Sequence, residues 1–276
     1  MPSSIRIGPL ALPPSLLLLM LAAALALPAG KRIARRTGAA VEGPLHRILL
    51  VGLVVARLAF VLQYRHAYLA DPWSILDIRD GGWEPQAGLL GAWFYASLLA
   101  RRLPALRRPV LSALAVASAT WIGGTIAIAL SVPEQRPLPE FTAVSIDGES
   151  VRLPDYAGRP AVINLWASWC PPCRREMPVL ERAQKARPEV EFVFLNQGET
   201  ADTVRRFLDR NGLSLRNVLL DSRGEFARLF QLSALPATLF FDADGRLASV
   251  RIGELSDATI EHHVGPLVRR EASARK

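Results

Sequence analysis

The feature that most constrains this chain is the placement of its apolar residues, which concentrate before residue 132. Four apolar stretches occur there, over about 7–29, 48–64, 87–100 and 110–132. A helix that spans a membrane needs roughly 20 apolar residues, with about 17 as the lower limit. The third stretch reaches this length only when it is extended back to Trp83. We therefore expect about four transmembrane helices, followed by a soluble domain.

Charged residues in the loops between these stretches predict how the helices are oriented. The loop after the first stretch is basic, with Lys31, Arg32, Arg35, Arg36 and Arg47, and so is the loop after the third, with Arg101, Arg102, Arg107 and Arg108. The loop after the second stretch carries the acidic residues Asp71, Asp77, Asp80 and Glu84. Because Lys and Arg mark the cytoplasmic side, we expect the N-terminus and everything after residue 132 to lie outside.

This orientation predicts where the protein resides. We expect a multi-pass protein of the bacterial cytoplasmic membrane, with the lipid bilayer as a partner and the C-terminal domain on the periplasmic side. The first stretch also fits a cleaved signal peptide, because Arg6 precedes an apolar core. The heavier basic cluster follows this stretch, however, and Pro13 and Pro14 interrupt its start, which favours a retained helix.

The formal net charge of +8 is high for a chain of 276 residues. A basic balance is compatible with nucleic-acid binding. The lysines and arginines largely cluster beside the apolar stretches, and no nucleic-acid motif accompanies them. We therefore attribute the charge to membrane orientation and expect no nucleic-acid partner.

Arg57 lies inside the second apolar stretch, where a charge is costly to bury. Two interpretations are open. An intramembrane charge is a candidate functional residue, or it forms a structural ion pair, here with Asp77 or Glu84.

The surrounding segment 55–91, with ARLAFVLQY, DPWSILDIRDGGW and AGLLG, resembles the N-terminal part of prolipoprotein diacylglyceryl transferase. The matching positions are Arg57, Leu58, Gly81, Gly82, Gly88, Leu89 and Gly91. The family's histidine position holds Gln86, and its following glycine position holds Ala87. The family's later Gly-Arg…Asn…Gly signature has no counterpart. Acyl transfer needs a positioned acid–base group, so the resemblance implies a degenerate anchor, with diacylglyceryl transfer as a minor alternative.

After residue 131 the sequence changes character. Pro133, Pro137 and Pro139 predict an extended linker over 132–138, which separates a transmembrane anchor over 1–131 from a domain over 139–276. Strand and helix patterns then alternate. Predicted strands cover 161–166, 190–196, 217–220, 237–241 and 247–252, and predicted helices cover 170–186, 201–211 and 257–267. This order predicts an α/β thioredoxin-like domain with a central mixed sheet.

The chain contains only two cysteines, Cys170 and Cys173, where a predicted strand gives way to a helix. A zinc site would need further ligands at metal spacing, and His262 and His263 are far away in sequence, so we expect no metal. A CxxC pair at this junction predicts a redox-active disulfide with no other cofactor. The helix N-terminus lowers the pKa of the Cys170 thiol, which makes it the nucleophile. Cys173 is then the resolving thiol, and Pro171 suits the first helical turn.

The segment 166–178, WASWCPPCRREMP, resembles the TlpA/ResA group of thioredoxin-like proteins, and the resemblance extends over about 137–268. Further matching segments are Asp147-Gly148, Gly158-Arg159-Pro160, Asn196-Gln197-Gly198-Glu199 and Leu235-Pro236-Ala237-Thr238. One departure is Ala237, where the group often has Thr.

The resemblance implies roles for five residues around the cysteines. Glu176 is expected to be a partly buried carboxylate that passes protons during exchange. Pro236 is expected to be cis and to face the cysteines, while the backbone of Leu235 pairs with an incoming extended peptide. Trp169 is expected to flank the site on the surface, and Trp166 to pack in the core.

The group includes extracytoplasmic reductases of cytochrome maturation, which implies a reductase of disulfides in exported proteins. Outside the membrane the surroundings are oxidising, and the chain has no further cysteines to relay electrons. A separate membrane electron-donor thiol protein is therefore expected as a partner. Three alternatives are a Cu(I)-binding assembly module that uses the two thiols as soft ligands, a thiol peroxidase, and the transferase activity described above.

Overall fold

The computed structural model describes residues 5–7, 10–12, 14–70, 72–131 and 136–274. Residues 132–135 of the predicted linker lie outside the described residues, as do Pro13 and Asp71. The chain divides into two compact units. One is helical and contains residues 12–75 and 82–132, and the other is an α/β unit in the C-terminal half, with which the described residues up to Ala11 and the segment Leu76–Gly81 group.

The helical unit is built from five helices in its described residues: α1 (Pro14–Thr37), α2 (Glu42–Gln63), α3 (Arg65–Ala70), α4 (Pro85–Arg102) and α5 (Pro104–Ser131). Short 3₁₀ turns cover Pro72–Leu76 and Ile78–Asp80. Two three-residue strands, β1 (Ile5–Ile7) and β2 (Leu10–Leu12), precede α1.

Three of these helices are long and apolar enough to cross a membrane, over Leu16–Arg35, Glu42–Gln63 and Pro104–Ile128. They correspond to the first, second and fourth predicted stretches. The third predicted stretch forms the 18-residue helix α4, which does not reach that apolar character because Gln86 lies in its first turn and Arg101 and Arg102 end it. The expected helical region is confirmed, with three apolar candidate spans in the described part of the chain rather than about four.

Helices α2 and α4 approach each other through small residues. A Cβ atom added at Gly88 would lie 2.8 Å from the backbone oxygen of Gly52 and from the Cβ of Ala56, so this contact requires glycine. Large apolar side chains are exposed on α2, α4 and α5, as expected for surfaces that face lipid: Leu50, Leu62, Leu90, Phe94, Ile122 and Ile126.

The α/β unit is organised around a seven-stranded mixed sheet in the order β4-β3-β7-β6-β5-β8-β9. Its strands are β3 (Thr142–Ser145), β4 (Ser150–Arg152), β5 (Ala161–Trp166), β6 (Glu191–Gln197), β7 (Val218–Asp221), β8 (Ala237–Phe241) and β9 (Leu247–Ile252). Strand β6 pairs in parallel with both β5 and β7, and the other pairings are antiparallel. Its helices are α6 (Pro171–Ala186), α7 (Ala201–Asn211), α8 (Glu225–Leu229) and α9 (Asp257–Ala274).

The expected thioredoxin-like α/β domain with a mixed sheet is confirmed. Strands β5, β8 and β9 have the predicted bounds, and the closing helix α9 is longer than predicted. Four short elements of the described part of this unit were not predicted, namely β3, β4, α8 and a 3₁₀ turn over Leu153–Tyr156, each of which has five residues or fewer. Elements of this length carry too few residues to show a periodic pattern.

Strand β5 runs through the middle of the sheet, and all six of its side chains are buried. Because side chains alternate across a sheet, Val162 and Trp166 pack in the core cluster on one face, whereas Ile163 and Leu165 pack in the cluster on the other. Asn164 shares the face of Val162 and Trp166, so a polar side chain lies within a largely apolar layer. That layer also holds both cysteines.

Candidate redox site

Cys170 and Cys173 lie at the start of α6 and form a disulfide. Cys170 is the N-cap residue, its Sγ accepts a hydrogen bond from the backbone N–H of Cys173, and Pro171 occupies the first turn. Both cysteines are almost fully buried, at 3% and 0% exposure, whereas Pro171 is exposed. In the reduced protein the same N–H groups and the helix dipole would favour a thiolate on Cys170.

The loop between β5 and Cys170 is held by a carboxylate that the sequence analysis did not single out. Glu199 accepts hydrogen bonds from the backbone N–H and the hydroxyl of Ser168, and from the side-chain amide of Asn196 at 2.7 Å. It lies just beyond the end of β6, the strand next to β5. In the sequence, Glu199 belongs to the segment Asn196–Glu199, which is part of the family resemblance. That segment by itself did not indicate a contact between Glu199 and this loop.

Pro236 is preceded by a cis peptide bond from Leu235. It stands directly before β8, which pairs with β5 so that Ala237 lies opposite Leu165. The C-terminal end of β5 leads to Cys170. The pairing of β5 with β8 therefore brings the cis-proline segment and the cysteines to the same end of these two strands.

The two tryptophans of this region have different surroundings. Trp166 is fully buried in the core, and Trp169 is 67% exposed next to Cys170. Trp169 therefore presents a large apolar surface to solvent beside the disulfide.

Glu176 is almost fully buried, at 1% exposure, one turn after Cys173 in α6. Its Oε1 accepts a hydrogen bond from the side-chain amide of Asn164 at 2.8 Å, and its Oε2 accepts one from the backbone N–H of Leu255 at 3.0 Å. The pKa of this carboxyl is raised to about 8, mainly by burial and to a lesser extent by the nearby Glu254, although the two hydrogen bonds and Arg251 oppose the shift. The side chain is therefore poised to change its charge in a mildly alkaline range.

His263 in α9 packs beside β8. Its ring stacks on Phe240, with ring centroids 4.5 Å apart, and bonds to the hydroxyl of Ser249. Burial lowers the pKa of His263 to about 4, so the ring is neutral at pH 7. Among the described residues no group of three or more His, Cys, Asp or Glu side chains is arranged to hold a metal ion.

Arg57 is almost fully buried in α2, at 7% exposure. Its guanidinium donates to the backbone oxygens of Gly82 at 2.8 Å, of Ile75 at 3.0 Å and of Ser74 at 3.2 Å. It also lies over the ring of Tyr68, 5.3 Å from the centroid. These contacts all tie α2 to the segment before α4, and an ion pair with Asp77 or Glu84 stays a prediction.

Two family models match different parts of the chain. The Redoxin model matches residues 133–263, and the prolipoprotein diacylglyceryl transferase model matches residues 2–128. The second match supports the fusion that the sequence had indicated.

Relatives and solved structures match the C-terminal half. The thiol-disulfide oxidoreductase ResA of Geobacillus kaustophilus is 30% identical over 46% of this chain and 73% of its own length. ResA of Halalkalibacterium halodurans is 31% identical over 48% of this chain and 75% of its own length. The structure of MTB dsbF in its mixed oxidized and reduced forms is 28% identical and covers 46% of this chain and 95% of that chain, with a TM-score of 0.43. Given the identity and coverage of the ResA relatives, the chain belongs to the ResA family of thiol-disulfide oxidoreductases.

Proposed function

We propose that this protein is anchored in the cytoplasmic membrane and reduces disulfides of exported proteins on the outer side, with cytochrome c or copper-site assembly as the setting. The observation that carries the proposal is the Cys170–Cys173 pair at the N-terminus of α6, one helical turn from the buried carboxyl of Glu176. The arginines in the last turns of α1 and α4 and near the start of α5 would hold these helix ends on the cytoplasmic side. The C-terminal domain would then lie outside.

The reaction begins with both cysteines reduced. The Cys170 thiolate attacks one sulfur of the substrate disulfide, so that a Cys170–substrate disulfide forms, the substrate S–S bond breaks, and the departing substrate thiolate takes up a proton. Cys173 then loses its proton and attacks Cys170, which releases the second substrate thiolate, and this thiolate is also protonated. Two electrons and two protons pass to the substrate, and the Cys170–Cys173 disulfide remains. No other cofactor takes part.

Glu176 would act in the second step. Its ionised carboxylate accepts the proton that Cys173 gives up and returns it to the departing thiolate. A pKa of about 8 suits both transfers, because an acid–base group works best when its pKa is near the operating pH. We therefore assign Cys170, Cys173 and Glu176 to the chemistry.

Substrate binding would use the residues around the cysteines. An extended peptide would pair with the backbone of Leu235, next to the cis peptide bond before Pro236. The exposed ring of Trp169 and the adjacent Pro171 would contact the substrate on the other side.

Turnover needs the Cys170–Cys173 disulfide to be reduced again. The chain has two cysteines in total, so it holds no second thiol pair to carry electrons across the membrane. A separate membrane thiol protein is the proposed donor.

The test is the reduction potential of the full-length protein in detergent micelles, equilibrated with thiol–disulfide buffers. A value near that of thioredoxin, about −270 mV, is expected for an electron-fed reductase. A value near about −120 mV would overturn the direction, since it would mark a disulfide donor. Cys173→Ser serves as the control that cannot form the internal disulfide. Tight Cu(I) binding combined with poor disulfide exchange would instead support the copper-binding alternative.

A further inference from the structure

The side-chain amide of Asn164 connects Glu176 to strand β8 inside the core. Its Nδ2 donates to Oε1 of Glu176 at 2.8 Å and to the hydroxyl oxygen of Thr238 at 3.0 Å. Asn164 is 1% exposed and Thr238 is fully buried. The side chains of Glu176, Asn164 and Thr238 come from α6, β5 and β8. The sequence of any one of these elements therefore does not predict that the three side chains meet.

The oxygen of the same amide has an unusual environment. The Oδ1 of Asn164 is buried and accepts no hydrogen bond from the residues that the structure describes. Buried polar atoms are nearly always paired, so an unpaired one calls for an explanation. A side-chain amide has a donor end and an acceptor end of nearly the same shape, and rotation by 180° exchanges them without moving other atoms.

The two charge states of Glu176 need different neighbours. An ionised carboxylate only accepts hydrogen bonds, and both of its oxygens face donors, namely Asn164 and the backbone N–H of Leu255. A protonated carboxyl carries one O–H that must be accepted by something. The N–H of Leu255 is fixed in the backbone and cannot accept, whereas the amide of Asn164 can turn.

We infer that Asn164 is a positioning residue whose amide takes opposite orientations in the two charge states of Glu176. When Glu176 is ionised, Nδ2 faces it, as in this structure. When Glu176 is protonated, Oδ1 faces it and accepts its O–H. The hydroxyl of Thr238 suits both states, because it accepts from Nδ2 in the first and donates to Oδ1 in the second.

This inference deepens the proposed function and rests on it, because it assumes that Glu176 gains and loses a proton during exchange. The consequence is that the carboxyl changes charge without losing its partner on the Asn164 side. Three other groups also face Glu176. Arg251 on β9 favours its ionised form, Glu254 after β9 opposes it, and the cysteines of α6 do not titrate while they form the disulfide.

The test is a pH titration of the oxidised full-length protein in detergent micelles from pH 5 to 10. The protonated carboxyl of Glu176 is followed by its infrared C=O band, which Glu176→Gln identifies by its loss. The amide of Asn164 is followed by NMR with ¹⁵N-labelled asparagine, which is practical because the chain has four asparagines. We expect the Nδ2 protons of Asn164 to lie close to Thr238 at high pH and to lose that contact at low pH. The loss of contact should have the same midpoint pH as the infrared band of Glu176.

The outcomes separate the two proposals. If the infrared band titrates while the Asn164–Thr238 contact persists at every pH, the amide does not turn and this inference is wrong, but the proton role of Glu176 stands. If the band does not titrate between pH 5 and 10, the proton role itself fails, and the inference fails with it.

A matched pair of variants gives a second measurement. Asn164→Leu keeps the approximate volume but offers neither donor nor acceptor, and the ionised form of Glu176 loses the stronger hydrogen bond. We expect the Glu176 midpoint to rise by about one unit. Thr238→Ser keeps the hydroxyl and should leave the midpoint unchanged. An unchanged or lowered midpoint in Asn164→Leu would contradict the assignment, and if that variant does not fold, the wild-type titration decides the question.

Discussion

Arg57 in the helical unit and Glu176 in the α/β unit are both buried charged side chains, and their surroundings differ. Arg57 in α2 donates to three backbone carbonyls, those of Ser74, Ile75 and Gly82. Glu176 in α6 is bonded by one side-chain amide and one backbone N–H, and burial raises its pKa to about 8. The three carbonyls that accept from Arg57 never change charge, whereas Glu176 lies one turn from the Cys170–Cys173 disulfide.

A buried charge is not by itself evidence of chemistry. An arginine that donates to several carbonyls ties segments of the backbone together, because each guanidinium N–H is fixed in direction. A carboxyl whose pKa is shifted towards neutrality, and which lies near a nucleophile, is a candidate acid–base group. We therefore expect substitutions at Arg57 to change stability, and substitutions around Glu176 to change rates and pH dependence.

The largest effect is expected for Cys170→Ser. It removes the sulfur that attacks the substrate, so disulfide exchange should fall by roughly 10³-fold or more, measured as reduction of a model disulfide. Cys173→Ser is the matched control. It keeps the nucleophile Cys170 but lacks the thiol that resolves the mixed disulfide with the substrate, so this mixed disulfide should accumulate. Exchange that survives in Cys170→Ser would show that Cys170 is not the nucleophile.

Arg57→Met tests the structural side of the comparison. It keeps an unbranched side chain but removes the donors to three carbonyls, and we expect the free energy of unfolding to fall by about 3 kcal/mol. Thermal unfolding in detergent would show this loss, and the reduction potential should stay unchanged. Leu58→Met, at an exposed position of the same helix, is the control. If Arg57→Met shifts the reduction potential and leaves the free energy of unfolding unchanged, our assignment of Arg57 to stability rather than to chemistry is wrong.

Glu176→Gln tests the chemical side. It removes the ionisable group but keeps a side chain of the same size, and exchange should slow by about 10²-fold, the lower end of what an acid–base group contributes. In the wild type the rate should rise with pH through about 8 as Glu176 ionises, and this rise should disappear in the variant. Rates measured from pH 6 to 10 would check both. A retained rise would mean that another group titrates.

The same variant should change how stability depends on pH. The folded pKa of Glu176 is raised above the ordinary value of 4.5 to about 8, so between these values the folded state holds a proton that the unfolded state has lost. Stability therefore falls as pH increases through this range, by an amount on the order of a few kcal/mol. Denaturant unfolding should show a flatter pH dependence for Glu176→Gln than for the wild type.

The smallest effect is expected at His263, whose pKa burial lowers from 6.5 to about 4. Between these values the unfolded state binds a proton that the folded state does not, so this residue's contribution is present above pH 6.5 and is lost as pH falls towards 4. His263→Phe keeps the stacking on Phe240 without a titrating group and should lessen the loss of stability in acid. Unfolding curves at pH 4.5 and 7 would reveal this smaller loss of stability. The exchange activity of the variant at pH 7 should be unchanged. Equal acid sensitivity in the variant and the wild type would refute this role.

The sequence alone determined the division into an apolar helical region and an α/β domain, because hydrophobic length and strand–helix alternation are local patterns. It also predicted Cys170 and Cys173 as the candidate redox pair, since two cysteines three residues apart before a helical pattern leave few alternatives. The tertiary structure decided which neighbours share a buried environment. Glu199 holds the loop before Cys170 from the next strand, and Asn164 and Thr238 meet Glu176 from two other strands. These partners are far apart in the chain, and their hydrogen bonds and desolvation exist only once the sheet and α6 pack together.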